Sequence, residues 1–228
     1  MGEPASEAAL VARATAIAGL SLGELAARLG WPAWDDDTAG GTRRKGRVGQ
    51  LVEEALGAAG GSSREPDLPT LGIEIKTLPV GRDGVPRETT FVCTVPLNEL
   101  ASTSFEDSVL ARRLARVLFV PVESEPDLAF AQRRIGAAFL WSPSPLQQAL
   151  LRDDWEAIAR VVAAGDIHRL DARLGVALQT RPKAAHGGVR RIVVSEDGEL
   201  TWAQPRGFYL RRSFTAELVR EAYAPPPQ

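Results

Sequence analysis

Between Glu65 and Thr77 the chain reads EPDLPTLGIEIKT, and near its end apolar and charged residues alternate: Ile73, Glu74, Ile75, Lys76. Successive side chains of an extended strand point to opposite faces, so this run as a strand puts both isoleucines on one face and the acid and the base on the other. Such a strand must bury its apolar face against a core, and its charged face needs an occupation. An exposed acid–base neighbour pair of this kind is common and contributes only about 0–1 kcal/mol.

A second carboxylate changes the reading. Asp67, introduced by Pro66, is separated from the strand by only a short turn, so two carboxylates and one ammonium can converge at one point. Hard divalent cations such as Mg2+ take carboxylate oxygens and retain several waters, and a lysine beside them can orient or deprotonate such a water. Those groups are the minimal apparatus for hydrolysing a phosphodiester.

The chain has 228 residues, 44% of them hydrophobic, enough for one large domain or two lobes around a proper core. Its one cysteine, Cys93, sits in the strand-like run TTFVCTV and reads as a buried reduced thiol. The N-terminus carries Glu3 and Glu7 with no basic stretch ahead of an apolar run, and no apolar stretch approaches the roughly 18 residues a membrane span needs. A soluble cytoplasmic protein without a membrane segment is therefore expected. The net charge of −2 gives no overall attraction for a polyanion, so any nucleic-acid site must come from local clustering.

Residues 5–29 have the spacing of two short helices broken near Gly19, and WPAWDDDTAGG reads as a loop. In KGRVGQLVEEALG a helical stripe of Val48, Leu51, Val52, Ala55 and Leu56 ends at Gly57. Gly46, Gly49 and Glu53 lie together beside that stripe, leaving room for a large ligand to approach a carboxylate. After the charged strand come a turn at GRDGVP, strands at ETTFVCTVP and VLFVPVE, a helix at FEDSVLARRLAR between them, and a long helix after WSPSP with Trp155, Ile158 and Val162 on one face. The last quarter holds strand-like GVALQT, RRIVVS, ELTWAQ and GFYLRR, with a hairpin turn at Glu196-Asp197-Gly198, then a helix opened by Ser213. From Gln179 to Arg212 there are seven basic side chains (Arg181, Lys183, Arg190, Arg191, Arg206, Arg211, Arg212) against three acidic, a positive patch suited to phosphate.

KGRVGQLVEEALGA, GSSREPDLPTLGIEIKTLPV, ETTFVCTVPL, LAFAQRRIGAAFLWSP, RPKAAHG and PRGFYLRRSFT resemble, in the same order, segments of the MutH family of methyl-directed DNA mismatch-repair endonucleases. The resemblance runs from about Gly19 to Tyr223. It implies an α/β, restriction-endonuclease-like PD-(D/E)xK fold: a central mixed sheet flanked by helices, in two lobes around a DNA cleft. Residues 1–228 would form a single endonuclease domain, with a catalytic lobe over about 1–125 and a DNA-recognition lobe over about 126–228.

The resemblance also assigns roles. Asp67 and Glu74 would bind Mg2+, Lys76 would orient or activate the attacking water, and Glu53 matches a further acid of the active site. Lys45 falls where a basic residue meets phosphate, and Arg113 would act electrostatically, since arginine cannot serve as a proton donor or acceptor. Arg181, Pro182 and Lys183 match a base-reading loop, and Tyr209 matches the residue that senses adenine methylation. Arginine and lysine suit the acceptor edge of guanine, and a ring edge can test an adenine N6.

The function so implied is Mg2+-dependent nicking of the unmethylated strand at hemimethylated GATC in double-stranded DNA, by a monomer activated by the mismatch-repair ATPase MutL. The alternatives are a type II restriction-like enzyme cutting both strands at GATC and a noncatalytic module that binds hemimethylated DNA. His168 and His186 have no metal-ligand spacing.

Overall fold

A computed structural model of the chain describes residues 2–32, 41–58, 64–183, 191–194 and 200–225; the side chains of 41–45, 168, 191–194 and 200–203 lie outside the described set. In chain order the elements are α1 (Glu7–Ile17), α2 (Leu22–Arg28), α3 (Gly41–Leu56), β1 (Glu74–Val80), β2 (Thr90–Thr94), α4 (Val109–Leu114), β3 (Val117–Glu123), β4 (Phe139–Trp141), α5 (Pro145–Ala163), β5 (Leu178–Pro182), β6 (Arg191–Val194), β7 (Leu200–Ala203), β8 (Arg206–Leu210) and α6 (Arg212–Ala222). Packing groups them into two compact units, each assembled from separated segments: 1–88 with 115–142 and 218–228, and 89–114 with 143–217.

In the first unit, Ser6 caps α1, and Ser21 with Glu24 forms a reciprocal capping box on α2. Gly19, at φ 83°, makes the break between the two helices. Helix α3 buries the stripe Val48, Leu51, Val52, Ala55 and Leu56. It stops at Gly57, φ 92°, where the N–H groups of Gly57 and Ala58 close on the carbonyls of Glu54 and Glu53. A Cβ at Gly57 would lie 2.3 Å from Arg13 Nη1, and that guanidinium ties the end of α3 to the chain start by donating to Leu56 O and Gly2 O. Ile73 and Ile75 join this core with Leu118, Val120 and Val122 of β3, as the alternation requires. Strand β1 runs parallel to β3, from Glu74 opposite Val117 to Val80 opposite Glu123, and β4 adds antiparallel on the other side of β3.

The second unit is built on an antiparallel sheet in the order β2-β8-β5. Helix α5, opened by a Ser144–Gln147 capping box with Pro145 in its first turn, buries Trp155, Ile158 and Val162 as its spacing predicts. A separate antiparallel ribbon pairs β6 with β7; the turn expected at 196–198 lies outside the described residues, as do residues 33–40 of the expected loop.

The strands thus divide into two three-stranded sheets and one ribbon, of which β1-β3-β4 is the mixed one. Strand β4 carries no alternation long enough to read from sequence. Strand β5 begins at Leu178 rather than Gly175, because the residues before it are taken up by a side chain of α5 described below. Among the described residues no helix is long and apolar enough to cross a membrane.

Candidate active site

Asp67, Glu74 and Lys76 are brought together by one local fold. Leu68 and Ile73 bridge antiparallel, their N–H groups donating to each other's carbonyls at 2.9 and 3.2 Å around a turn completed by Gly72 at φ 66°. The turn folds Asp67 back onto β1, where its Oδ2 accepts the N–H of Ile75 at 2.9 Å. Strand β1 is the edge of its sheet, so this side chain occupies a backbone donor that would otherwise face outward. The Lys76 ammonium donates to Glu74 Oε1 and, at 3.3 Å, to the carbonyl of Ile75.

Burial separates this pair from an ordinary surface contact. The Glu74 side chain is 0% exposed and that of Lys76 14%. Withdrawing a carboxylate from water costs several kcal/mol unless charge and hydrogen bonds compensate. A solvated strand face therefore does not describe these residues.

Glu53 stands on α3, which packs against β1, and its Oε1 lies 3.6 Å from where a Cβ on Gly49 would be. A Cβ at Gly46 would meet nothing within 4 Å. Gly49 and Glu53 are thus neighbours on one helix face, and Gly46 leaves open space a turn earlier. Among the described residues, however, no three His, Cys, Asp or Glu side chains gather closely enough to hold a metal ion. The oxygen donors of Asp67 and Glu74 still suit a hard divalent cation that keeps most of its waters. Lys45 lies in α3 with its side chain outside the described set.

The remaining candidates belong to the second unit. Arg113, on α4, sends Nη1 to the carbonyl of Val92 at 3.4 Å. Arg181 and Pro182 lie at the end of β5 rather than in a loop, and Lys183 follows them. In β8, Tyr209 stands opposite Gln179 and Gly207 opposite Arg181, so Tyr209 and Arg181 share a face. A bulge in β2 between Phe91 and Cys93 aims Phe91 at Tyr209, the rings meeting edge-on with centroids 5.3 Å apart.

Cations flank both rings. The Arg181 guanidinium lies 5.8 Å from the Tyr209 ring and donates to Thr89 Oγ1 at 3.0 Å; the Lys183 ammonium lies 4.0 Å from the Phe91 ring and donates to Thr94 Oγ1 at 3.2 Å. Gly207 permits this closeness, since a Cβ there would be 2.8 Å from Phe91 Cε2 and 2.9 Å from Tyr209 Cε2. Burial raises the Tyr209 hydroxyl above the usual phenol value, and the nearby Arg181 partly offsets it.

Two members of the basic patch are otherwise engaged. Arg206 donates to the carbonyl of Leu170, and Arg211 to the carbonyls of Ala172, Leu174 and Leu178, so these guanidiniums hold backbone. Burial lowers the Arg206 guanidinium against the opposing effect of Asp171. Sequence reasoning also passes over Glu3. Its carboxylate accepts from the N–H and the hydroxyl of Thr70, both at 2.9 Å, and so clamps the tip of the turn that delivers Asp67. No local pattern signals a contact 67 residues away.

An acid pair with a lysine at a sheet edge, beside a helix bearing a further acid, supplies the residue types that metal-assisted hydrolases use. Residues 56–154, which include Asp67, Glu74, Lys76 and Arg113, match the family model described as DNA mismatch repair enzyme MutH. The chain is similar to the DNA mismatch repair protein MutH of Shewanella amazonensis, 49% identical over 220 residues, covering 96% of each chain. It is also 44% identical over 216 residues to that of Yersinia enterocolitica, covering 95% of this chain and 93% of the relative. To that of Shewanella oneidensis it is 42% identical over 220 residues, covering 96% and 97%. The chain belongs to the MutH family of DNA mismatch-repair endonucleases.

Proposed function

We propose that this endonuclease nicks the unmethylated strand of hemimethylated GATC in duplex DNA, using Mg2+ held by Asp67 and Glu74. The observation that carries the proposal is the fully buried Glu74 carboxylate, paired with Lys76 and adjoining the residue whose N–H holds Asp67. When bound, the ion neutralises charge on the phosphate and lowers the pKa of an attacking water. Asp67 is held against β1 by the Ile75 N–H, and Glu74 is held by the Lys76 ammonium, so neither carboxylate is left without a partner. Lys76 orients the water that adds to phosphorus as one P–O bond breaks, and its positive charge favours the crowded anionic transition state. Glu53 holds water at the margin of the site.

Lys45 and Arg113 serve the phosphates, Arg181, Pro182 and Lys183 the bases, and Tyr209 the N6 edge of the adenine. The shared face of Arg181 and Tyr209, and the cations beside both rings, support that division. Family membership supports the rest of the reading: a two-lobed restriction-endonuclease-like fold with an N-terminal catalytic and a C-terminal recognition lobe around a DNA cleft, activation by MutL, and action as a monomer in the cytoplasm.

The test is nicking of a circular plasmid carrying one GATC, prepared unmethylated, hemimethylated and fully methylated, with Mg2+ and with EDTA. Single-strand nicks confined to the unmethylated strand and requiring the cation are expected. Linear product from one encounter would instead mark a double-strand cutter, and binding without cleavage a noncatalytic module.

A further inference from the structure

We propose that Asp154 is a positioning residue for sequence recognition: it fixes the register of β5, and with it the face on which Arg181 and Lys183 stand. The inference rests on the proposal that those two side chains read bases.

Asp154 is an acid in the buried stripe of α5, 5% exposed, beside Leu151, Trp155 and Ile158. Burying a carboxylate there is costly unless it is hydrogen-bonded. Three consecutive backbone N–H groups converge on it. Val176 donates to Oδ1 at 2.8 Å and to Oδ2 at 2.9 Å, and Ala177 and Leu178 donate to Oδ2 at 2.6 and 2.8 Å. This is a backbone nest around an internal anion. Gly175 enters it at φ 90°, where a Cβ would lie 2.4 Å from Leu178 O and 3.0 Å from Asp154 Cγ, so the turn into the nest has room only for glycine.

The carbonyls of the same segment are held from the other side by Arg211. Its N–H donates to Ala177 O at 2.7 Å, and its guanidinium reaches Ala172 O at 2.6 Å, with Leu174 O and Leu178 O at 3.3 Å. Arg211 follows β8, the strand of Tyr209, so the entry to β5 is pinned between an α5 carboxylate and the end of β8. Pairing begins there, with Leu178 opposite Leu210, and places Arg181 opposite Gly207 three residues on. Because strand side chains repeat every two residues, a slip by one would carry Arg181 off the face of Tyr209. The nest removes that slip.

The experiment measures, by fluorescence anisotropy in EDTA, the Kd of the full chain for a duplex with one GATC and for the same duplex with the site scrambled. Melting temperatures are recorded in parallel. Wild type, Lys183→Ala, Asp154→Asn, Gly175→Ala and, as a stability control in the first unit's core, Leu10→Ala are compared. Asp154→Asn keeps the size of the side chain but turns a donor towards the N–H groups; Gly175→Ala keeps the carboxylate and blocks the turn.

Both should lower the scrambled-to-GATC ratio by about tenfold or more, the scale of one lost base contact. Leu10→Ala should leave that ratio within about twofold of wild type, because it acts on stability alone. A ratio within about twofold of wild type in Asp154→Asn, whatever its melting temperature, overturns the proposal. If that variant does not fold, an unchanged ratio in Gly175→Ala overturns it instead. A wild-type ratio near one would sink the base-reading assignment itself; a preference lost in Lys183→Ala and kept in both nest variants would sink only the role of Asp154.

Discussion

Replacing Lys76 by methionine removes an ammonium from a carboxylate that has no access to solvent, and the structure allows the consequence to be sized. Breaking a buried ion pair by deleting one partner costs about 3–5 kcal/mol. The Lys76 side chain is 14% exposed while that of Glu74 is 0%, which puts the expected loss at the lower end, about 3 kcal/mol. For a protein of this length each kcal/mol moves the melting temperature by about 2–4 °C, so Lys76→Met should melt about 6–12 °C below wild type in EDTA.

The neutral double variant Glu74→Gln/Lys76→Met should recover most of that loss, since replacing both charges avoids the stranded one. Saturating Mg2+ should raise the melting temperature of Lys76→Met by more than that of wild type, because no ammonium competes for Glu74; at a hundredfold excess over Kd the stabilisation is about 2.7 kcal/mol. Calorimetry of the three proteins with Mg2+ and with EDTA gives all the comparisons. If Lys76→Met melted within about 2 °C of wild type in EDTA, the pair would be energetically a surface contact and the reasoning from burial would be wrong.

On the proposed assignment of Glu74 to the scissile phosphate, Glu74→Ala should abolish nicking while holding GATC affinity within about tenfold; a gel assay and a binding titration check both. Tyr209→Ser should nick fully methylated GATC far better relative to hemimethylated GATC than wild type does, and a uniform loss on all three methylation states would instead indicate sheet damage. Binding should weaken with salt at a log–log slope of about −0.9 per phosphate neutralised, and Arg206→Gln should leave that slope unchanged because its guanidinium holds the Leu170 carbonyl. Burial holds the Tyr209 hydroxyl above its ordinary value of 10.0, so its stabilising contribution is full below that pH and is lost as pH rises through the raised value. Melting curves across the alkaline range should therefore fall less steeply for Tyr209→Phe.

The charged strand was legible because its information is local: period-two alternation at Ile73–Lys76 and a turn short enough to return Asp67. The stripe of α3 and its glycine stop were legible for the same reason. Alternation could not say that the charged face is covered, which depends on the packing of the whole unit, so the burial of Glu74 emerges only in three dimensions. The clamp of Glu3 on Thr70 and the nest at Asp154 join residues 67 and 22–24 positions apart, and no pattern within one element encodes them. The start of β5 lies three residues beyond where composition places it for that reason: GVALQT has strand composition throughout, but its first residues spend their N–H groups on Asp154.

The two units share the chain in alternation, 1–88, 115–142 and 218–228 in one, 89–114 and 143–217 in the other. The sheet that carries Tyr209 draws β2 from one of these segments and β5 and β8 from another. A single crossover in the gene, or a single proteolytic cut, can separate that sheet from the rest of the chain only by carrying residues 115–142 of the other unit along with it. Exchanging the sheet as a module would therefore also exchange part of the first unit's core, whereas substitution within β2, β5 and β8 leaves that core as it is.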